Sequence, residues 1–139
     1  MALTTTTEEV SGRVPITVLT LEGELDASNF ESVVDEVRSL YVDGARQLLI
    51  DLTGLTFLAS SGLVALHSII LVMRGDVPSD PESGWEAFHA LSAEVSSGTS
   101  QSEVQLCGPQ PGVARVLSRT GLDRLFRIHP DRSSAIAAF

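Results

Sequence analysis

The feature that most constrains the fold is one segment, residues 47–66, in which a strand pattern leads through a polar turn into a helix pattern. Its apolar run at 48–50 has the length and composition of a strand buried on both faces. A Thr-Gly pair at 53–54 interrupts that run, and a helical period begins after Ser60 and Ser61. Apolar residues then recur every three or four positions, on one predicted helix face: Leu63, Leu66, Ile70 and Met73. The segment therefore predicts a strand, a loop and a helix that begins at two serines.

The two serines at this helix start are the first candidates for a functional site. A hydroxyl at a helix N-terminus accepts hydrogen bonds from the free backbone N–H groups and so caps the helix. The same N–H groups and the helix dipole also stabilise a phosphate group. The local pattern of Ser60 and Ser61 leaves both interpretations open, a structural cap and a site that carries a phosphate.

Strand and helix patterns alternate along the rest of the chain. A threonine-rich stretch at 3–10 predicts an edge strand, and the alternating residues 16–21 predict a half-buried strand. A helix with an apolar stripe follows at 30–41, and we predict that Asp26 or Ser28 caps it.

The C-terminal part repeats this alternation after a long irregular stretch. Residues 104–107 and 125–128 predict short strands, Pro111 suits the first turn of a helix, and Asp131 or Ser133 caps a terminal helix. Together these patterns predict one α/β domain over residues 1–139, with a mixed sheet and helices mainly on one face. The serine-rich stretch at about 76–102 is predicted to be a flexible insertion.

Composition excludes several classes of function. The formal net charge is −9, so a nucleic-acid partner is not expected, because phosphate binding needs a basic surface. The start of the chain lacks the features of a signal peptide, and no apolar window is long enough to span a bilayer. The only cysteine, Cys107, is predicted to be a small core residue. We therefore predict a soluble cytoplasmic protein with neither a nucleic-acid nor a membrane partner.

The remaining polar residues do not form a recognisable catalytic or cofactor motif. His67, His89 and His129 are scattered without ligand spacing, so no metal site or cofactor is predicted. Asp51 is interpreted as a turn or surface carboxylate rather than a catalytic acid. The main concentration of basic residues is predicted to be a solvated face that complements an acidic partner if it has one: Arg115, Arg119, Arg124 and Arg127.

Three local motifs, taken in this order, resemble the STAS domain family, the fold of the bacterial anti-sigma factor antagonists. They are Leu-Glu-Gly-Glu-Leu-Asp at 21–26, Phe-Leu-Ala-Ser-Ser-Gly-Leu at 57–63 and Gly-Val-Ala-Arg-Val-Leu at 112–117. The similarity extends over roughly residues 10–139 apart from the insertion, so it rests on most of the domain.

The resemblance implies a regulatory protein that is not an enzyme. In that family the first hydroxyl residue of the turn is phosphorylated by a partner that is both anti-sigma factor and serine kinase. Here that residue is Ser60, with Ser61 as the alternative. The unmodified antagonist binds the anti-sigma factor, the phosphorylated form is released, and a serine phosphatase resets it. The implied partner-binding residues lie on two neighbouring loops, together with the exposed side of the following helix: Asp26, Ala59, Ser60, Ser61, Gly62 and Leu63.

One departure from the family pattern keeps other functions open. The family has an aspartate immediately before the serine pair, and this chain has Ala59. A STAS scaffold that joins a regulatory complex or a homodimer without being phosphorylated is therefore the second hypothesis. A small α/β enzyme or ligand-binding protein is the third, although no His/Asp partner for a nucleophile is placed by motif.

Overall fold

Five strands form one mixed sheet in the computed structural model, which describes residues 3–73 and 101–139. The strands lie across the sheet in chain order, with β1 antiparallel to β2 and all later neighbours parallel. They are β1 (Leu3–Ser11), β2 (Pro15–Leu25), β3 (Leu48–Leu58), β4 (Gln101–Cys107) and β5 (Phe126–His129). The described helices are α1 (Phe30–Val42), α2 (Ser60–Met73), α3 (Pro111–Thr120) and α4 (Arg132–Ala137), with a 3₁₀ turn at Leu122–Arg124. The predicted mixed α/β sheet is confirmed.

The helices lie mainly on one face of the sheet, as predicted. Helices α1, α2 and α3 contribute Val33, Leu66 and Leu117 to one hydrophobic cluster, which places the three helices on the same face. These three helices cover the larger hydrophobic core. The short α4 packs on the opposite face, over a second and smaller cluster that contains Ala135 and Cys107.

Strands β2 and β3 run further than their sequence patterns predict. The Thr-Gly pair at 53–54 does not end β3, and β2 continues beyond the predicted strand at 16–21, through Gly23 to Leu25. Shifts of register absorb the irregular residues, and β3 then buries Leu55 and Leu58 in the core. The C-terminal ends of both strands therefore lie side by side, where Leu25 pairs with Leu58.

The predicted cap of α1 is wrong. The helix begins at Phe30, and the residue before it, Asn29, makes no side-chain capping bond. The Asp26 carboxylate instead accepts hydrogen bonds from the Ser28 amide at 2.9 Å and the Ser28 hydroxyl at 2.5 Å. Asp26 therefore stabilises the turn that precedes the helix rather than the helix itself. At the other terminus the prediction is confirmed, since Asp131 accepts from the Ser134 amide at 2.7 Å and caps α4.

Helix α2 is buried on all sides rather than on the single face that the sequence predicts. Every residue from Gly62 to Ile70 is buried, including the polar His67. A helix that is apolar around its whole circumference is one that the fold encloses. Of the predicted insertion at 76–102, residues 76–100 lie outside the described residues, and 101–102 belong to β4.

Candidate functional site

The two loops that carry the candidate residues start from neighbouring strands at the same edge of the sheet. Leu25 is the last residue of β2, and its carbonyl accepts a hydrogen bond from the Ala59 amide at 3.0 Å. Asp26 follows Leu25 directly and Ser60 follows Ala59 directly, so the strand ends bring the two loops together. We call the surface formed by Asp26, Phe57, Ala59, Ser60 and Ser61 the turn surface.

Ser60 is more accessible to a partner than Ser61, the other candidate residue. It is exposed and is the first residue of α2, whereas Ser61 is half-buried. The first intrahelical acceptor is the Ala59 carbonyl, which receives the amides of Gly62 at 2.9 Å and Leu63 at 3.3 Å. The amides of Ser60 and Ser61 precede that ladder and lie at the positive end of the helix dipole. A phosphate on the Ser60 hydroxyl would meet backbone donors and a favourable dipole there.

The N-cap position of α2 is occupied by Ala59 and not by a serine. The residue whose carbonyl accepts the first intrahelical bond is the N-cap, and alanine has no side-chain acceptor with which to bind the free amides. The purely structural interpretation of the serine pair as an N-cap is therefore wrong. Alanine at this position therefore provides neither a charge nor a side-chain cap for the helix.

Gly62 allows the helix to start against the end of β2. A Cβ atom at this position would lie 2.6 Å from Leu58 Cδ1, 3.0 Å from Leu25 Cγ and 3.2 Å from the Leu25 carbonyl oxygen. These separations are too short for a side chain without displacement of α2 or of the two leucines. Gly62 and Leu63 are themselves buried, so they shape the turn surface from beneath and expose little to a partner.

Asp26 presents a charged carboxylate on the turn surface. Hydrogen bonds from the Ser28 hydroxyl and amide stabilise its ionised form and lower its pKa. Asn29 holds the same turn, since its amide group donates to the Glu24 carbonyl at 2.8 Å and its oxygen accepts from the Asp26 amide at 3.0 Å. The negative charge of Asp26 is therefore both permanent at neutral pH and fixed in position on its loop.

Phe57 belongs to the same surface, although sequence reasoning did not select it. Its side chain is 45% exposed, and it pairs with Glu24 at the end of β3. Strict alternation would place Phe57 on the same face as the buried Leu55, so its exposure follows from the irregular pairing of β3 with β2 and not from the sequence pattern. Exposed aromatic side chains are among the groups that anchor protein interfaces.

The exposed side of α2 that was expected to extend the binding surface is not present. Beyond Ser61 the helix is buried except for the partly buried Leu71, so the accessible candidate residues are confined to its first turn. The turn surface is therefore small, and a partner that binds it contacts loops and strand ends rather than a helix face.

A second polar cluster lies on the opposite face of the sheet, beneath α4. Asp51, expected at a turn or on the surface, is 7% exposed and accepts hydrogen bonds from Arg132 at 3.0 Å and from the Thr53 hydroxyl at 2.5 Å. Arg132 also pairs with Glu8 on β1. Burial opposes ionisation of Asp51, but the hydrogen bonds from Thr53 and Arg132 outweigh it and its pKa is lowered. This cluster ties α4 to the sheet.

The described segments offer little for metal or membrane binding. Within residues 3–73 and 101–139, no three metal-ligating side chains lie close enough together to hold an ion. No helix in those same segments combines the length and the apolar character needed to cross a bilayer. The four arginines of the basic concentration are exposed, as predicted, and Cys107 is buried.

Comparison with known proteins identifies the family. A family model described as the STAS domain matches residues 6–77 of the chain. The protein therefore belongs to the STAS domain family, as the sequence motifs indicate. A sequence comparison with curated proteins found no match.

Solved structures of anti-sigma factor antagonists share this fold. An anti-sigma factor antagonist from Mycobacterium paratuberculosis superposes with a TM-score of 0.69 at 21% identity, over 99% of this chain and 93% of that chain. The Bacillus cell fate determinant SpoIIAA in its phosphorylated form gives a TM-score of 0.58 at 19% identity, over 96% of both chains. The anti-sigma factor antagonist SpoIIAA in its unphosphorylated form gives 0.56 at 15% identity, over 94% of this chain and 92% of that chain. At these identities the likeness establishes the common fold.

Proposed function

We propose that this STAS domain is an anti-sigma factor antagonist that binds an anti-sigma factor through the turn surface and is released when Ser60 is phosphorylated. One observation carries the proposal. Ser60 is exposed at the N-terminus of α2, and the backbone bond from Ala59 to Leu25 brings its loop against the loop that begins with Asp26. The solved antagonists of similar fold, one of them described in its phosphorylated form, support the same function.

The local physics explains how one phosphate acts as a switch without refolding the domain. The group adds about −1.5 to −2 charge and three acceptor oxygens. The free amides and the dipole at the start of α2 accommodate that charge within the protein. A docked partner, by contrast, would have to desolvate the phosphate and keep its own acidic groups away from both the phosphate and Asp26. Binding is therefore lost locally while the scaffold stays unchanged.

The proposed cycle needs two further proteins and no cofactor. An anti-sigma factor with serine kinase activity supplies the phosphate, and a serine phosphatase removes it. The antagonist itself acts by binding and has no catalytic residue in this scheme, and the cycle operates in the cytoplasm. Ser61 is the alternative acceptor, but it is half-buried and would have to rotate its hydroxyl outward to reach a kinase.

Ala59 favours a second candidate function. Without the family aspartate, the site lacks a carboxylate that a kinase recognises in the family pattern, and the chain would then be a STAS scaffold that binds its partner constitutively. The two functions share the turn surface and differ only in whether Ser60 is modified.

A kinase assay with matched variants separates these two functions. The protein, Ser60→Ala and Ser61→Ala are each incubated with the anti-sigma factor kinase and ATP, and the modified residue is located by mass spectrometry. We expect one phosphate on the wild type and on Ser61→Ala, and none on Ser60→Ala. Partner binding by all three proteins without any phosphate would contradict the switch and favour the scaffold. Asp26→Asn keeps the turn but removes its charge, and we expect it to weaken partner binding.

A further inference from the structure

We infer that the outer edge of β1 pairs with the same edge of a second copy of this chain, in one register with Thr7 on the two-fold axis. Strand β1 runs over nine residues and pairs with β2 without a bulge along its whole length. No other described strand lies on its outer side, since β1 is the first strand in the sheet order. An edge of this length exposes a row of backbone donors and acceptors that another strand can satisfy.

The edge lacks most features that prevent such pairing in other proteins. It contains no proline, no lysine and no irregularity, and its central residues are threonines, which favour strands. It is also held in place on both faces of the sheet. On one face the Thr5 hydroxyl donates to Glu36 of α1 at 2.7 Å, and on the other Glu8 pairs with Arg132 of α4. A strand fixed in this way loses little further conformational entropy when it pairs.

The two charged residues of β1 select the register. In an antiparallel pair centred on Thr7, all nine residues find a partner, from Leu3 opposite Ser11 of the second copy to the symmetric Thr7 pair. Glu8 then lies opposite Thr6 of the second copy and Glu9 opposite Thr5, so no carboxylate of β1 lies directly opposite another. A register centred on Glu8 instead brings like charges directly opposite, which destabilises a strand pair. The sequence of β1 is thus complementary to itself in the register that also gives the most hydrogen bonds.

The inferred dimer leaves both turn surfaces accessible, so it does not depend on the proposed switch. Leu3 pairs with Gly23, close to the end of β2 that carries Asp26. Because the two β1 strands run antiparallel, the turn surfaces lie at opposite ends of the joined sheet. The interface is isologous, so it closes at two copies. A loss of dimerisation should therefore leave Ser60 phosphorylation unchanged, and the two proposals fail separately.

Introduction of a charge at the symmetry axis provides the first test. Sedimentation of the full chain over a range of concentrations should show a monomer–dimer equilibrium, with more dimer at higher salt because each copy carries a net charge of −9. Thr7→Glu places two carboxylates directly opposite each other, with Glu9 of each strand nearby on the same face, and should weaken dimerisation roughly tenfold or more. Thr4→Glu is the matched control, since it changes the net charge equally but faces Val10 of the second copy and should weaken dimerisation far less.

Cysteine cross-linking tests the register itself. Residues directly opposite in an antiparallel pair have Cα atoms at about 4.5–5.5 Å, within reach of a disulfide. Thr7→Cys should therefore form a disulfide-linked dimer under mild oxidation, whereas Thr4→Cys should form no covalent dimer, because its cysteines lie far apart; the native Cys107 is buried and does not interfere. A monomer at all concentrations, or a dimer that Thr7→Glu leaves intact and Thr7→Cys does not link, would overturn the inference.

Discussion

Substitution of two helix-start glycines by alanine tests how closely α2 approaches the strand ends. Gly62 is the third residue of α2, and Gly112 is the second residue of α3. Neither has a positive φ, so alanine is allowed by the backbone at both. A Cβ at Gly112 meets nothing within 4 Å, whereas a Cβ at Gly62 would lie 2.6 Å from Leu58 Cδ1 and 3.0 Å from Leu25 Cγ. Both substitutions therefore reduce the conformational entropy of the unfolded chain to a similar extent, and they differ in how the new methyl group packs in the folded protein.

The magnitudes follow from these contacts. Gly112→Ala should stabilise the protein by about 0.4–1 kcal/mol, because alanine restricts the unfolded chain more than glycine does. Gly62→Ala gains a similar amount but must displace two buried leucines, at a cost of about 1–3 kcal/mol. The difference in free energy of unfolding between the two variants should thus be about 1–3 kcal/mol, with Gly62→Ala the less stable.

Urea unfolding followed by circular dichroism measures that difference directly. The midpoint should shift in opposite directions for the two variants, with an unchanged dependence on denaturant if both still unfold in two states. Because Gly62→Ala also moves the start of α2 relative to Asp26, it should weaken partner binding, while Gly112→Ala should leave binding unchanged. Equal stabilisation by both substitutions would refute the close approach on which the geometry of the turn surface depends.

Three further predictions concern the helix cap and the cluster beneath α4. Ala59→Asp supplies the missing N-cap acceptor of α2 and should raise the free energy of unfolding by about 0.5–2 kcal/mol, measured by urea unfolding; no change would show that the free amides are already satisfied. Burial, with a contribution from the Asp51 carboxylate, raises the pKa of the Cys107 thiol to about 12. The folded protein should therefore resist thiol reagents at neutral pH. Because the unfolded thiol ionises near pH 8.5 and the folded one does not, stability should fall as the pH rises above that value; rapid labelling of the native protein would contradict this burial. Arg132→Met removes a hydrogen-bond donor that lowers the pKa of Asp51, and stability held by a lowered carboxylate pKa is lost as the pH falls through it. Acid unfolding of this variant, followed by fluorescence, should therefore begin at a higher pH than in the wild type, and an unchanged midpoint would exclude a stabilising role for the ion pair.

The sequence predicts the elements of this fold well where one periodicity dominates. The alternating stretch at 16–21 and the Pro111 helix start both lie inside the observed elements. Prediction fails where long-range contacts override local signals. The Thr-Gly pair at 53–54 predicts the end of a strand. In the structure β2 continues alongside, and a shift of register keeps β3 paired with it. Asp26 reads as a helix cap, yet the Ser28 hydroxyl and amide hold its carboxylate within the preceding turn.

The candidate site shows the same division between local and tertiary information. The serine pair and its position at the start of a helix are visible in the sequence, and so is the family to which they belong. Burial of α2 on all sides cannot be predicted from the helix sequence alone, because it depends on which other parts of the fold pack against each side of the helix. The exposure of Phe57 depends on the shifts of register between β2 and β3, which local sequence does not predict.

The affinity of the anti-sigma factor for unmodified and Ser60-phosphorylated protein tests the central claim most directly. Protein phosphorylated at Ser60 would be compared with unmodified protein by calorimetry, with circular dichroism as the check that the fold is unchanged. We predict that the phosphate weakens binding tenfold or more, about 1.4 kcal/mol, with identical spectra. Equal affinity of the two forms would contradict the account, because the turn surface would then bind its partner regardless of the charge at Ser60.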